Sequence, residues 1–77
     1  MEGLKVSLYD VLDIIGDINS NIKFDLLKEL SSSGVKTNKI KLRLAKGEDP
    51  LEVMNQFFKL EGLLSEIEYG DLQDRLC

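Results

Sequence analysis

The sequence predicts an all-α fold, a small bundle of four to five short helices within a single domain spanning residues 1–77. Three observations predict it. Apolar residues recur at helical spacing, good capping residues precede these stretches, and the length allows one small core. A core of this size leaves about 3–5 kcal/mol of net stability. Self-association or a binding partner is therefore a reasonable expectation.

The first predicted helix begins at a capping-box pattern, with Ser7 as N-cap and Asp10 three residues later. The polar residues within 16–21 predict its end. Its apolar positions follow the i, i+3, i+4, i+7 rule and are Leu8, Val11, Leu12 and Ile15.

A second amphipathic stripe follows, with Phe24 on its flank. It is predicted to end in the run 31–34, where three serines precede Gly34, a residue type typical of the C′ position. The stripe itself consists of Ile22, Leu26, Leu27 and Leu30.

Asp49 and Pro50 mark the clearest helix start, because Asp is a good N-cap and Pro is tolerated at the first helical position. This helix is predicted to span 50–61. A second capping-box pattern, Ser65-Glu66-Ile67-Glu68, predicts a last helix over 65–76, which Gly70 weakens. From Pro50 onward one buried face is predicted, comprising Val53, Phe57, Leu60 and Leu64.

The segment 39–44 has two interpretations. Polar and apolar residues alternate along it, which is the signature of a strand, and Leu4, Val6 and Leu8 alternate in the same way. Thr37 is a good N-cap, however, and the residues that follow are good helix formers. We expect a short helix, and the strand remains open as the alternative.

Half of the positive charge lies in this part of the chain. Five of the ten Lys and Arg residues fall between positions 36 and 46, and no acid lies between Glu29 and Glu48. The rest of the chain has five cations and fourteen acids, so a segment of +5 stands within a surround of −9. This layout predicts a small basic face suited to an acidic protein, to nucleic acid or to the acidic face of a second copy.

Residue types that support catalysis are scarce. The chain has no histidine and one cysteine, Cys77, so neither an activated Cys–His pair nor a typical zinc site can be assembled. A Gly-rich phosphate loop is also missing. The expectation is therefore no enzyme activity, no cofactor, no metal and no small-molecule substrate.

The sequence also bears on location. No apolar run approaches the roughly 20 residues needed to cross a bilayer, and the first residues do not resemble a secretory signal. With one cysteine there is no internal disulfide framework, and Cys77 is expected to be an exposed thiol. We expect a cytoplasmic protein that does not enter membranes.

Residues 22–64 contain five short elements in a regular order. They are Ile22-x4-Leu27-x2-Leu30, Gly34-Val35-Lys36-Thr37, Ile40-x3-Leu44, Val53-x3-Phe57-x2-Leu60-Glu61 and Gly62-Leu63-Leu64. This order resembles the helix-turn-helix regulators of the winged-helix kind, and the resemblance implies that the third helix, here 50–61, enters the major groove of DNA. A strand at 39–44 followed by helices 50–61 and 65–76 resembles instead the ribbon-helix-helix regulators, which also bind DNA.

A third resemblance involves the end of the chain. Phe57-Phe58-Lys59-Leu60-Glu61-Gly62-Leu63-Leu64-Ser65, followed by Asp71-Leu72-x3-Leu76, is similar to a death-effector-type bundle. It implies assembly through complementary charged faces. The chain is short for the sixth helix of that family, and Tyr69-Gly70-Asp71-Leu72 lacks the arginine of its Arg-x-Asp-Leu motif. Three families fit the sequence equally, so none is identified.

These observations together predict a non-enzymatic protein–protein interaction module, a small regulator or adaptor that docks through a basic patch and an apolar helical face. Its partner is another protein with an acidic surface, or a second copy. The alternative is a small DNA-binding transcriptional regulator of helix-turn-helix or ribbon-helix-helix type that uses the same cations. The acidic net charge of −4 disfavours this alternative. The predicted docking residues are Lys36, Lys39, Lys41, Arg43, Lys46 and Phe58.

Overall fold

The computed structural model describes residues 6–76, which form six helices and no strand. The helices are α1 (Leu8–Ile18), α2 (Ser20–Ser32), α3 (Gly34–Ala45), α4 (Pro50–Phe57), α5 (Leu60–Leu63) and α6 (Glu66–Leu76). The all-α class is confirmed, with one helix more than the four to five predicted. Leu4 and Cys77 lie outside the described residues.

The predicted starts of α1, α4 and α6 are confirmed by their capping bonds. Ser7 and Asp10 exchange backbone-to-side-chain bonds of 3.1 Å each, and Ser65 and Glu68 do the same at 3.2 and 3.0 Å. The Asp49 carboxylate accepts a bond of 3.1 Å from the Leu51 amide, with Pro50 first in α4. Each such cap stabilises a helix by about 0.5–2 kcal/mol.

The junction of α2 and α3 differs from the prediction. Ser33 is extended and serves both helices, since it is the C-cap of α2 and its hydroxyl accepts a bond from the Lys36 amide at 3.3 Å. Gly34 therefore begins α3 and does not end α2 in a left-handed conformation. Thr37 lies within α3, where its hydroxyl donates to the Leu30 carbonyl at 2.8 Å. Because Ser33 can act as the N-cap, α3 starts four residues earlier than the predicted N-cap Thr37 implies.

The segment 39–44 is helical along its whole length, so the strand alternative is wrong. Helical spacing places Ile40 and Leu44 on one side, where they are 0% and 3% exposed. The turn that ends α3 contains Gly47, whose φ of +85° favours glycine. There the Gly47 amide donates to the Leu44 carbonyl and the Glu48 amide to the Arg43 carbonyl, which is the Schellman pattern.

The predicted helix 50–61 is interrupted at residues 58–59. Phe58 has an extended backbone, with φ of −135° and ψ of 146°, and α5 begins at Leu60. In an unbroken helix Phe58 would point about 100° away from Phe57, off the buried stripe. The break lets Phe58 and Leu60 both enter the core, where they are 5% and 0% exposed.

The core is organised around α1, which packs against α2, α3 and α6. On the other side, α4 packs against α3, α5 and α6. Every buried side chain within residues 6–76 is apolar. The longest helix, α2, has 13 residues, and none of the described helices is long and apolar enough to span a membrane. The core residues are Leu8, Val11, Leu12, Ile15, Ile22, Leu26, Leu30, Ile40, Leu44, Val53, Met54, Phe58, Leu60, Leu64 and Leu72.

A polar contact links the α1–α2 corner to α6. Asn19 separates α1 from α2, and its side-chain oxygen accepts bonds from the amides of Asn21 and Ile22 at 3.1 and 3.3 Å. Its amide nitrogen donates to Glu68 at 3.2 Å, and the second carboxylate oxygen of Glu68 accepts a bond from the Ser65 amide. The α1–α2 corner is thereby joined to the start of α6.

Replacing two of the glycines by alanine is expected to change the free energy of unfolding in opposite directions. Gly70 lies inside α6, and a Cβ added there meets no atom within 4 Å, so we expect Gly70→Ala to raise the free energy of unfolding by about 0.5–1 kcal/mol. Gly47→Ala places an L side chain at a left-handed φ and is expected to lower it by about 1–2 kcal/mol. Urea denaturation measures both. Changes of the same sign in the two variants would contradict the assigned backbone.

Candidate docking surface

All five cations of the basic segment lie on α3 or on its C-cap residue, Lys46. Four of them are spaced i, i+3, i+7, i+10, which places them along one side of the helix: Lys36, Lys39, Arg43 and Lys46. Lys41 lies on the opposite side. The structure therefore collects four of the five predicted cations on one side of α3 and separates the fifth.

Lys36 and Arg43 stand at the border with the core, and both have intramolecular partners. The Lys36 ammonium is 2.6 Å from a Glu29 carboxylate oxygen and 5.4 Å from the centre of the Phe58 ring. Exposed ion pairs of this kind contribute about 0–1 kcal/mol. The ion pair matters more for binding than for stability, because Glu29 of α2 already neutralises the charge of Lys36.

Arg43 joins the end of α3 to the following loop and to α4. Its Nη2 and Nε donate to one carboxylate oxygen of Glu48 at 2.7 and 3.0 Å, and its Nη1 donates to the side-chain oxygen of Gln56. These hydrogen bonds lower the pKa of Glu48 and raise the pKa of Arg43 from their ordinary values, with charge attraction adding to both shifts. Arg43 thus has a structural role that limits its availability to a partner.

Lys41 contacts the first helix. Its ammonium lies 5.2 Å from the centre of the Tyr9 ring, and the ring itself is 60% exposed. The pair borders an apolar groove of about 340 Å³ between the start of α1 and the second half of α3. A cation over an exposed aromatic face contributes about 0.5–1 kcal/mol, so Lys41 is held loosely.

The remaining two lysines face outward. Lys39 and Lys46 are exposed and have no ion-pair partner among residues 6–76. Beside them stand Val35 and Leu42, which are 68% and 58% exposed. Positions 35, 39, 42 and 46 are spaced i, i+4, i+7, i+11 and therefore form one outward row, which we name the α3 ridge.

Sequence reasoning missed the apolar half of the α3 ridge. The sequence predicts Val35 either before the N-cap Thr37 or on the buried face with Ile40 and Leu44, and the structure exposes it. Leu42 was expected to be buried if the segment were a strand. The i, i+7 spacing of the two residues is the signal that identifies them once α3 is known to start at Gly34.

Phe58, predicted as an apolar docking residue, is 5% exposed and belongs to the core. The extended backbone at this position turns its ring inward, beneath Lys36. The adjacent Phe57 is only partly buried and borders a shallow surface groove with Leu63. The prediction of Phe58 as a surface anchor is therefore wrong, and Val35 and Leu42 are the apolar side chains of this face.

Comparison with known proteins found no family model, no curated protein and no solved structure that matches this chain. Within residues 6–76, no three His, Cys, Asp or Glu side chains are grouped so that they could hold a metal ion.

The Arg43–Glu48 contact predicts a measurable titration. Because the folded-state pKa of Glu48 is lowered, the contact stabilises the fold above the ordinary glutamate pKa, and this stabilisation is lost as pH falls through the lowered value. Carboxyl carbon NMR should show Glu48 titrating below the ordinary range, and Arg43→Gln should return it upward.

Lys46→Gln is the matched control, since Lys46 acts on Glu48 only through a weaker charge attraction. It should raise the pKa of Glu48 less than Arg43→Gln does. An unchanged Glu48 titration in Arg43→Gln would contradict the contact.

Proposed function

We propose that this chain is a non-enzymatic protein–protein interaction module, a small regulator or adaptor that docks onto an acidic protein surface through the α3 ridge. The observation that carries the proposal is the composition of that ridge. It places two exposed aliphatic side chains and two lysines without described ion-pair partners in one row on the outward side of α3. An apolar contact with a polar rim is the usual anatomy of a protein interface.

In this proposal the apolar residues of the ridge provide the buried contact area, and the lysines guide association and select an acidic partner. Truncating a well-buried interface anchor costs more than about 1 kcal/mol of binding free energy, whereas rim charges act mainly on the association rate and on the choice of partner. A partner that offers apolar side chains between carboxylates would satisfy both halves of the ridge. A cytoplasmic location is part of the proposal, since a chain with one cysteine has no internal disulfide to protect from reduction.

DNA binding is the weaker alternative. Proteins bind duplex DNA chiefly by placing Lys and Arg against its phosphates. The α3 ridge has only two lysines for this purpose, and they stand beside two aliphatic side chains. Lys36 and Arg43 would first have to leave Glu29 and Glu48. The net charge of −4 adds a general repulsion.

Site-specific crosslinking in an extract of the native host tests the proposal. A photoreactive amino acid at position 38, exposed and adjacent to the α3 ridge, should yield discrete adducts that protease removes and nuclease does not. The same adducts should be lost when Lys39→Glu and Lys46→Glu are added. The control is Asp25→Lys on the exposed surface of α2, which should leave them unchanged. Absence of specific protein adducts would overturn the proposal.

A salt titration with random duplex DNA tests the alternative. At about 50 mM salt we expect no measurable binding, because too few cations are available for phosphate neutralisation. Binding that falls steeply and linearly with salt on logarithmic axes would favour the DNA-binding regulator. The double change Lys39→Glu and Lys46→Glu would then reduce the slope by about 2.

A further inference from the structure

A second outward row, on α6, has the opposite charge to the α3 ridge. Ile67 is 86% exposed, more than any other large apolar side chain in the described range. Asp71 and Asp74 follow it at i+4 and i+7, on the same side of the helix. The core contacts of α6 are made by the opposite side, through Leu72 with Tyr69 and Leu76. We name the outward row Ile67, Asp71 and Asp74 the α6 face.

The acids of this region are only partly compensated within the molecule. Asp71 pairs with Arg75 at 3.1 Å, and Arg75 also approaches Asp17 at 3.8 Å. Asp74 and the neighbouring Glu66 are exposed and have no ion-pair partner among residues 6–76. Ile67 lies between Glu66 and Glu68 in α6, and with 86% of its surface exposed it is scarcely covered by the described fold.

The α3 ridge and the α6 face share the offsets i, i+4 and i+7, and their charged residues have opposite signs. The ridge has apolar and basic residues at i, i+4, i+7 and i+11, and the α6 face has apolar and acidic residues at i, i+4 and i+7. Two helices packed side by side bring such rows into contact, with aliphatic groups together and opposite charges at the edges. Each row points away from its own core, so only another molecule can bring them together.

We propose that the acidic partner of the α3 ridge is the α6 face of a second copy of this chain. This inference rests on the proposed function and names the partner's surface. A dimer held by a single contact between one ridge and one α6 face is heterologous and leaves one ridge and one α6 face open. Further copies add at those open surfaces, giving a ring or an open chain.

Analytical ultracentrifugation of the purified chain with reductant present tests the inference. We expect concentration-dependent association at about 50 mM salt that weakens at about 500 mM salt, as charge screening predicts. Leu42→Glu on the ridge and Ile67→Lys on the α6 face should each weaken association about tenfold or more. Both positions are more than half exposed, and circular dichroism checks that each variant remains folded.

Mixing the two variants gives the sharpest result. Leu42→Glu keeps an intact α6 face and Ile67→Lys keeps an intact ridge, so an equimolar mixture should associate more strongly than either variant alone. Asp25→Lys, a charge change at an exposed position of α2, which contains neither row, is the control and should associate like the unaltered chain.

Three outcomes would overturn the inference. They are a monomer at all concentrations up to about 1 mM, association that neither variant weakens, and failure of the mixture to recover it. If the chain is monomeric but position 38 still crosslinks to other proteins in the extract, only the second-copy inference fails. If both experiments are negative, the proposed function fails as well.

Discussion

Burial of the apolar stripe of α1 is the constraint on which the rest of the structure depends. Val11, Leu12 and Ile15 are 0–1% exposed, and α2, α3 and α6 all pack against the helix that carries them. The buried side chains of residues 6–76 form one core, so the outer helices have no other core to orient them. Each outer helix is consequently oriented by the few apolar residues that it contributes to this one core.

The orientation of α3 shows the consequence most clearly. Only Ile40 and Leu44 of this helix are buried, and they are one turn apart on one side. That single pair decides which residues face solvent, and so it places Val35 and Leu42 in the open. Cations at the borders of the buried side then meet acids of neighbouring elements, while those on the outward side do not. The functional character of the surface follows from the packing underneath it.

The small core also gives binding a thermodynamic role. Any partner that binds only the folded state stabilises that state in proportion to the logarithm of its concentration relative to the dissociation constant. For a domain with about 3–5 kcal/mol of net stability, a modest partner is a large addition. A surface row with exposed aliphatic groups is a liability in isolation and becomes favourable once it is covered.

The amino-acid sequence by itself determined the local features of this protein. These features depend on signals that act within a few residues, and the structure has them as predicted: the capping boxes at Ser7 and Ser65, the Asp49–Pro50 start of α4 and the apolar spacing in α1.

The tertiary structure decided the rest. The alternation in 39–44 fits either a strand or a helix, and the burial of Ile40 and Leu44 in the core decides for the helix. The extended backbone at Phe58 places its side chain in the core and not on the surface. Likewise, the five cations of the basic segment are equivalent in sequence. Only packing separates Lys36 and Arg43, which meet acids, from Lys39 and Lys46, because charge pairing depends on distances between elements that the chain order does not encode.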